Sequence, residues 1–257
     1  MGNPIQIDDK KFLRKMKKYE AVVGKEVNQL VHNAARLCAI ECAKYTAPRG
    51  MNTDAKRNGK AAVTKGMRGI FTTVNPQWWK EVINMGKNKR EILRHTKTGI
   101  IWARDTQETI DSLEGAKAWH KSNKQNGRAK RLGLLDRAII KKSIYTKLLR
   151  ETVKKVGISK AGWVIVATEC KADVREPLRG IPAWVKSNIP KANGAVKEMK
   201  RNGLGFAIQL NNQVRYARET LDTNSESFAV NLAKKKMLSM MNKAIRYEKA
   251  KQAQLQP

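Results

Sequence analysis

Apolar residues first recur with a helical rhythm near the amino end. Val27, Leu30, Val31, Ala34, Ala35, Cys38 and Cys42 follow three- and four-residue steps, and the stretch from Lys10 to Tyr45 holds no Pro and a single Gly, Gly24. The spacing predicts one long helix with Lys25, Asn28, Gln29 and Arg36 on its other face. Pro48 and Gly50 end it. The next stretch, 49–68, is polar and carries Gly50, Gly59 and Gly66, with Gly69 just beyond, so it reads as an extended basic arm with a short helix at most.

Packing resumes at Pro76-Gln-Trp-Trp79, and residues 86–98 look exposed and connective. Ile100 to Ala103 suits a short strand, and Thr106 to Asn123 suits a helix with Leu113, Ala116 and Trp119 on one stripe. From Leu132 to Val156 the apolar positions Leu135, Ile139, Ile144, Leu148 and Val153 punctuate a basic background, which predicts basic helices with one buried stripe. Ser159 can cap a helix running through Cys170, placing Trp163, Val166, Ala167 and Cys170 on one side. The same Trp-Val-Ile-Val run suits a strand; the helix is preferred.

Pro177 to Pro190 reads as a rigid connector around Ile181-Pro-Ala-Trp184. Phe206, Ile208 and Leu210 alternate with polar or small residues, a half-buried strand. Asn211-Asn212 offers a tight turn, and Val214 and Tyr216 a return strand. Thr223-Asn-Ser-Glu226 has capping-box spacing. The helix it opens is expected to bury Phe228, Leu232, Met237, Met240, Met241, Ala244 and Ile245 among Lys234–Lys236, Lys243 and Arg246, and to fray after Lys249. No internal repeat is present.

Charge changes the picture more than composition does. The 257 residues hold 53 Lys and Arg against 22 Asp and Glu, a formal net charge of +31. An imbalance of this size points to a polyanion, an anionic surface or an acidic protein as neighbour. The densest stretch, Lys117 to Lys160, has fourteen basic residues and two acidic ones, Asp136 and Glu151. The longest apolar run, Trp163 to Ala167, is five residues, far below the ~20 that span a bilayer. The first residues lack the order of a secretory leader, and three Cys, an odd number, point to a reducing compartment, so synthesis in a cytoplasm is expected.

Catalytic patterns are sparse. Cys38 and Cys42 lie one helical turn apart, but His32 is six residues earlier, a poor step for a third ligand, so core packing is the preferred reading. Gly59-Lys60 resembles the end of a phosphate loop, yet Asp54 and Ala61 stand where Gly and Ser or Thr are needed. Asp8-Asp9 reads as a solvated helix entrance, His95 lacks a nearby carboxylate, and His120 beside Trp119 reads as a helix-surface residue. Neither an enzyme nor a cofactor or metal is expected. Charge alone favours phosphate contact, through Lys and Arg in bulk. Arg49, Lys56, Arg57, Lys60, Lys65, Arg128, Lys130, Arg131, Lys141 and Lys142 are the candidate partner-binding residues.

The order of pieces carries a resemblance. A long helix closes with Ala43-Lys-Tyr-Thr-Ala-Pro48, and a Gly- and Lys-rich stretch follows from Lys56-Arg-Asn-Gly-Lys60 to Arg68-Gly-Ile-Phe71. Ala161-Gly-Trp163 and Pro182-Ala-Trp184 come later, then Asn211-Asn-Gln-Val-Arg-Tyr-Ala217 and a final helix. This resembles tailed-bacteriophage minor tail and neck proteins of the HK97 gp10-like tail-completion group. Their Thr-Gly-x-Leu element after Ala-Pro is missing here, and Arg218-Glu-Thr-Leu-Asp-Thr223 replaces their Gly-Thr and Pro-rich step. The resemblance implies a virion protein joining head connector to tail in a cyclic ring. Its partners would be portal or adaptor and tail-tube or tail-terminator proteins, with contact to packaged DNA. It also implies that Arg49–Lys65 and the 117–160 region order only against neighbours. The expected fold is α+β: long N- and C-terminal helices on a small, mostly antiparallel sheet including 204–217, in one domain with a basic helical insertion over about 75–200. The alternative is a sequence-nonspecific nucleic-acid-binding protein using its basic helical surface.

Overall fold

The structure, a computed structural model, describes residues 14, 15, 17–19, 21, 27–76, 91–93, 101–103, 107–125, 128–170, 180–199, 207–221 and 223–254. In chain order the first elements are α1 (Val27–Tyr45), α2 (Thr53–Ile70), β1 (Phe71–Val74), β2 (Glu91–Leu93), β3 (Ile101–Ala103) and β4 (Thr109–Ile110). Then follow α3 (Leu113–Ser122), β5 (Lys124–Gln125), β6 (Arg128–Ala129), β7 (Ala138–Lys141), α4 (Lys142–Val153) and α5 (Ile158–Glu169). The chain finishes with α6 (Ala183–Lys186), β8 (Gly194–Met199), β9 (Ala207–Asn212), α7 (Ala217–Thr220) and α8 (Thr223–Gln254). It divides into two units, 1–56 with 157–257, and 57–156. The fold is α+β.

In the first unit α5 is the centre. Ile158 through Val164, Val166 and Ala167 are all buried and Ile165 is half-buried, so its Trp163-Val-Ile-Val166 run is apolar nearly all round because nearly all of its surface is covered, the condition of an interior helix. α1 packs on α5 and on α8. Small residues, Ala34, Ala35, Cys38, Ala39, Cys42 and Ala43, make up its buried face and allow close approach. Tyr19 and Ala34 form a cluster with Met237 and Met241 of α8. β8 and β9 pair antiparallel, Val196 opposite Leu210, and β8 lies on α5.

Two expectations change in this unit. Asn211 and Asn212 do not reverse the chain. They end β9, whose partner β8 precedes it, and 214–216 lead into α7. The turn chemistry of Asn is still used: Asn212 Oδ1 accepts from Val214 N at 3.2 Å, a local turn that stops the strand. On α8, Met237 and Met241 are buried as expected, but Phe228 and Met240 are 54% and 49% exposed. Phe228 sits edge-on to Tyr45, ring centroids 5.0 Å apart, at the rim of the α1 contact. The helix also runs past Lys249 to Gln254. Met241→Ala is therefore expected to cost about 2–4 kcal/mol through a buried cavity, and Phe228→Ala about 1 kcal/mol or less. Chemical denaturation of the two variants side by side checks this.

The second unit holds a parallel three-stranded sheet, order β1-β7-β4, with Phe71 opposite Ala138 and Thr109 opposite Ile139. The antiparallel pairs among the described residues are β2–β3, β5–β6 and β8–β9. The 132–156 stretch is not helix throughout: Ala138, Ile139 and Ile140 form the central strand, buried on both faces, and α4 starts only at Lys142. Likewise β4 precedes α3, whose first turn is capped by Ser112 accepting from Gly115 N at 3.1 Å. Met67, Ile70, Phe71, Ile110, Ala116, Ile140, Tyr145 and Leu148 are core.

The arm expected at 49–68 is an 18-residue helix, α2. Asn52 Oδ1 caps it, accepting from Ala55 N at 2.9 Å. Gly59, Val63, Met67 and Ile70 face inward at four-, four- and three-residue steps. Small residues in that stripe hide the helical pattern. Trp78, Trp79 and most of 86–98 lie outside the described residues, as do Phe206, Pro177 and most of 10–26.

Candidate functional site

The most unusual chemical group is Lys160. Its side chain is fully buried in the first turn of α5. Nζ donates to Ala43 O and Thr46 O, each at 2.6 Å, and to Lys44 O at 3.4 Å. These carbonyls belong to the carboxyl end of α1, where unpaired acceptors and the negative end of the helix dipole favour a cation. Burial pushes the amine from 10.5 down to about 7.

Around Lys160 three distant stretches meet. Ala47 N donates to Thr220 O at 2.7 Å, tying the 43–48 turn to α7. Asn212 Nδ2 donates to Ser159 O at 2.8 Å. A Cβ added to Gly162 would lie 2.2 Å from Asn212 Oδ1, so the strand end and α5 touch through the absent side chain. Ser159 itself is not the cap: Gly157 occupies that position, and the helix begins one residue before Ser159. Arg49, expected to contact a partner, is exposed and donates to Ser225 Oγ at 3.0 Å.

Next to this junction Glu41 is buried and paired with Lys236 at 2.6 Å and Lys44 at 2.9 Å. Burial raises its carboxyl, but the hydrogen bonds from Lys236 and then Lys44 outweigh that and hold it below 4.5. A depressed carboxyl contributes stability above its ordinary range that is lost as pH falls through the folded value. Glu41→Gln is expected to cost about 1–2 kcal/mol at neutral pH, since both lysines can reach water, and to flatten the acid limb of a stability–pH curve. No difference between parent and variant at pH 7, or a difference that does not shrink as pH falls below 4.5, would contradict this.

Cys38, Cys42 and Cys170 are buried free thiols. The hydrogen bond with Cys38, then burial, push Cys42 well above 9, and burial pushes Cys170 up to about 12. Such thiols are inert. Among the described residues no group of three or more His, Cys, Asp or Glu is placed to hold a metal. His32 is buried, with Nε2 3.5 Å from Glu198 Oε1. His120 is half-buried and not a surface residue: burial, then Lys124 and Lys155, push it down to about 4, so it is neutral near pH 7.

The predicted basic residues separate into groups. α2 carries Lys56, Arg57, Lys60 and Lys65, and the last three are exposed together with Arg68, opposite the buried stripe. The segment after β6 runs along the end of this helix: Leu132 N donates to Gly69 O at 3.0 Å, and a Cβ at Gly69 would lie 3.4 Å from Lys130 O and 3.8 Å from the Arg131 Cα. Exposed Lys130 and Arg131 are thus brought beside α2 from 60 residues away, and Arg128 lies on β6 just before them. Lys141 and Lys142 do not join this face. Lys141 pairs in register with Val74 and Ala138 with Phe71, so they lie at the far end of the strand from α2, about 10 Å along it.

No protein-family model, no curated protein and no solved structure matches the chain. No described helix is long and apolar enough to cross a membrane.

Proposed function

We propose that the chain is a structural virion protein, a neck or tail-completion component that joins head connector to tail of a phage in cyclic copies, without catalysis or cofactor. One observation carries the reading. Of the stretches that bear the likeness to tail-completion proteins, 43–48 and 211–217 lie far from 161–163 in sequence yet come to its side: Ala43 O and Thr46 O accept from Lys160, and Asn212 donates to Ser159 O. Residues shared by such a group would be expected to hold one junction of the fold. The partly covered α8, with Phe228, Met240 and Tyr247 exposed, supplies apolar surface for portal, tail or neighbouring copies, in line with how protein joints hold. Gold-labelled antibody against the chain, applied to intact particles, is expected to mark the head–tail junction. Label on the capsid shell alone, or none, contradicts the assignment. The second reading, a free nucleic-acid-binding protein, is favoured by the basic face of α2 and predicts particles without the chain.

A further inference from the structure

The second unit holds 24 Lys and Arg against 8 Asp and Glu, and part of that excess is gathered on one face. From Arg57 to Ile70 the chain has no carboxylate. The exposed residues of α2 are Thr53 and Asp54 in its first turn, then Arg57, Asn58, Lys60, Ala61, Ala62, Lys65 and Arg68, so the one carboxylate on this face stands at its amino end. Lys130 and Arg131 lie alongside, held there by the close approach at Gly69. We infer that this composite face takes the sugar-phosphate backbone of duplex nucleic acid, without reading its sequence.

Two features favour phosphate over an acidic protein. Protein interfaces are built on an apolar centre inside a polar rim. Among the residues of this unit whose side chains are described, the one large exposed apolar side chain is Leu134, which is not on α2. The cations are instead separated by Ala61 and Ala62, small enough to let a backbone lie against the helix. The span from Arg57 to Arg68 is about 16 Å, against which duplex DNA offers on the order of ten phosphate charges. Phosphate contacts from Lys and Arg position a duplex but carry no sequence information.

The inference deepens the docking reading by naming what one face meets, yet it is tested on the free chain, so the two can fail separately. The probe is a labelled 30-base-pair duplex of mixed sequence, titrated with full-length protein across a salt series. Lys60→Gln with Lys65→Gln, and separately Lys130→Gln with Arg131→Gln, each remove two exposed charges. Lys235→Gln with Lys243→Gln on α8 removes the same charge elsewhere. Each face pair is expected to lower the salt slope by roughly two and the affinity by about ten-fold or more, while the α8 pair changes neither by as much. Unchanged melting curves exclude misfolding, and the two face pairs sit on different segments, so a folding defect in one leaves the other to decide. Equal losses from all three pairs, no loss from either face pair, or no binding by the parent chain overturns the assignment. So does poly-glutamate competing as well as DNA at equal charge, which would assign the face to acidic protein.

Discussion

Lys160→Met is expected to lower the unfolding free energy by about 3–5 kcal/mol at neutral pH, because two buried carbonyl oxygens lose a close donor and each such loss costs about 1–3 kcal/mol. Ala43 O and Thr46 O are backbone acceptors that accept from Nζ at 2.6 Å in the native chain. No side-chain swap can remove them, unlike a buried ion pair whose two members can both be made apolar. The pH dependence has a definite sign. The unfolded chain keeps the Lys160 proton up to the ordinary 10.5, whereas in the folded chain burial brings the amine to about 7. Between those values the unfolded state binds more protons, so stability rises with pH and is lost again as pH falls through about 7. The parent should therefore gain on Lys160→Met when both are unfolded in urea at pH 7 and again near pH 9. The difference is the quantity to read, because the net charge of the whole chain also falls over this range. A variant as stable as the parent would mean that the carbonyls find other donors. A difference that stays flat with pH would mean that they hold the ammonium charged.

Gly157→Ala is expected to cost about 3–5 kcal/mol, the sum of backbone strain and overpacking. Gly157 sits at φ 97°, in the left-handed region, at the start of α5. A Cβ there would lie 2.5 Å from Cζ3 and 2.9 Å from Cε3 of the buried Trp184 ring. Neither the ring nor the backbone can give way cheaply, because the same turn sets Lys160 under the end of α1. Gly180 provides the control. It has φ 90° and, among the described residues, nothing within 4 Å of an added Cβ, so Gly180→Ala serves as the measure of strain. A larger loss at 157 than at 180, read by thermal melts, locates the extra cost in Trp184. Equal losses would leave only the backbone contribution.

The parts of the fold legible in the sequence are those whose buried stripes are made of recognisable side chains at helical steps. Ala34, Ala35, Cys38 and Cys42 mark α1, Ala116 and Trp119 mark α3, and Met237 and Met241 mark α8. The helix α2 was hidden because Gly59 and Gly66 do the packing that larger residues usually announce. β7 was hidden because Ala138-Ile-Ile140, buried on both faces, is a short apolar run that periodicity cannot distinguish from a helix turn. Phe228 and Met240 satisfy the apolar pattern of α8 yet are exposed: Phe228 meets Tyr45, the last residue of α1, while Met237 and Met241 take the buried places beside Ala34.

The candidate site was legible only as charge. Lys60, Lys65, Lys130 and Arg131 could be named as basic but not as neighbours, since their meeting depends on the approach at Gly69. Arg49 donates to Ser225, and Lys141 and Lys142 stand at the other end of a strand from α2. Lys160 was one cation in a dense basic stretch. The signal that distinguishes it is its setting, Ile158-Ser-Lys-Ala-Gly-Trp-Val-Ile-Val166, a lysine inside the most apolar segment of the chain.

Quantitative mass spectrometry of purified phage particles from the source of the chain, counting it against the portal subunit, tests the central claim most directly. A neck or tail-completion ring predicts a small fixed ratio to portal in every preparation, unchanged when the particles are washed in high salt. Absence of the chain from full particles, or an amount that varies and washes away with salt, would contradict a structural place at the head–tail joint.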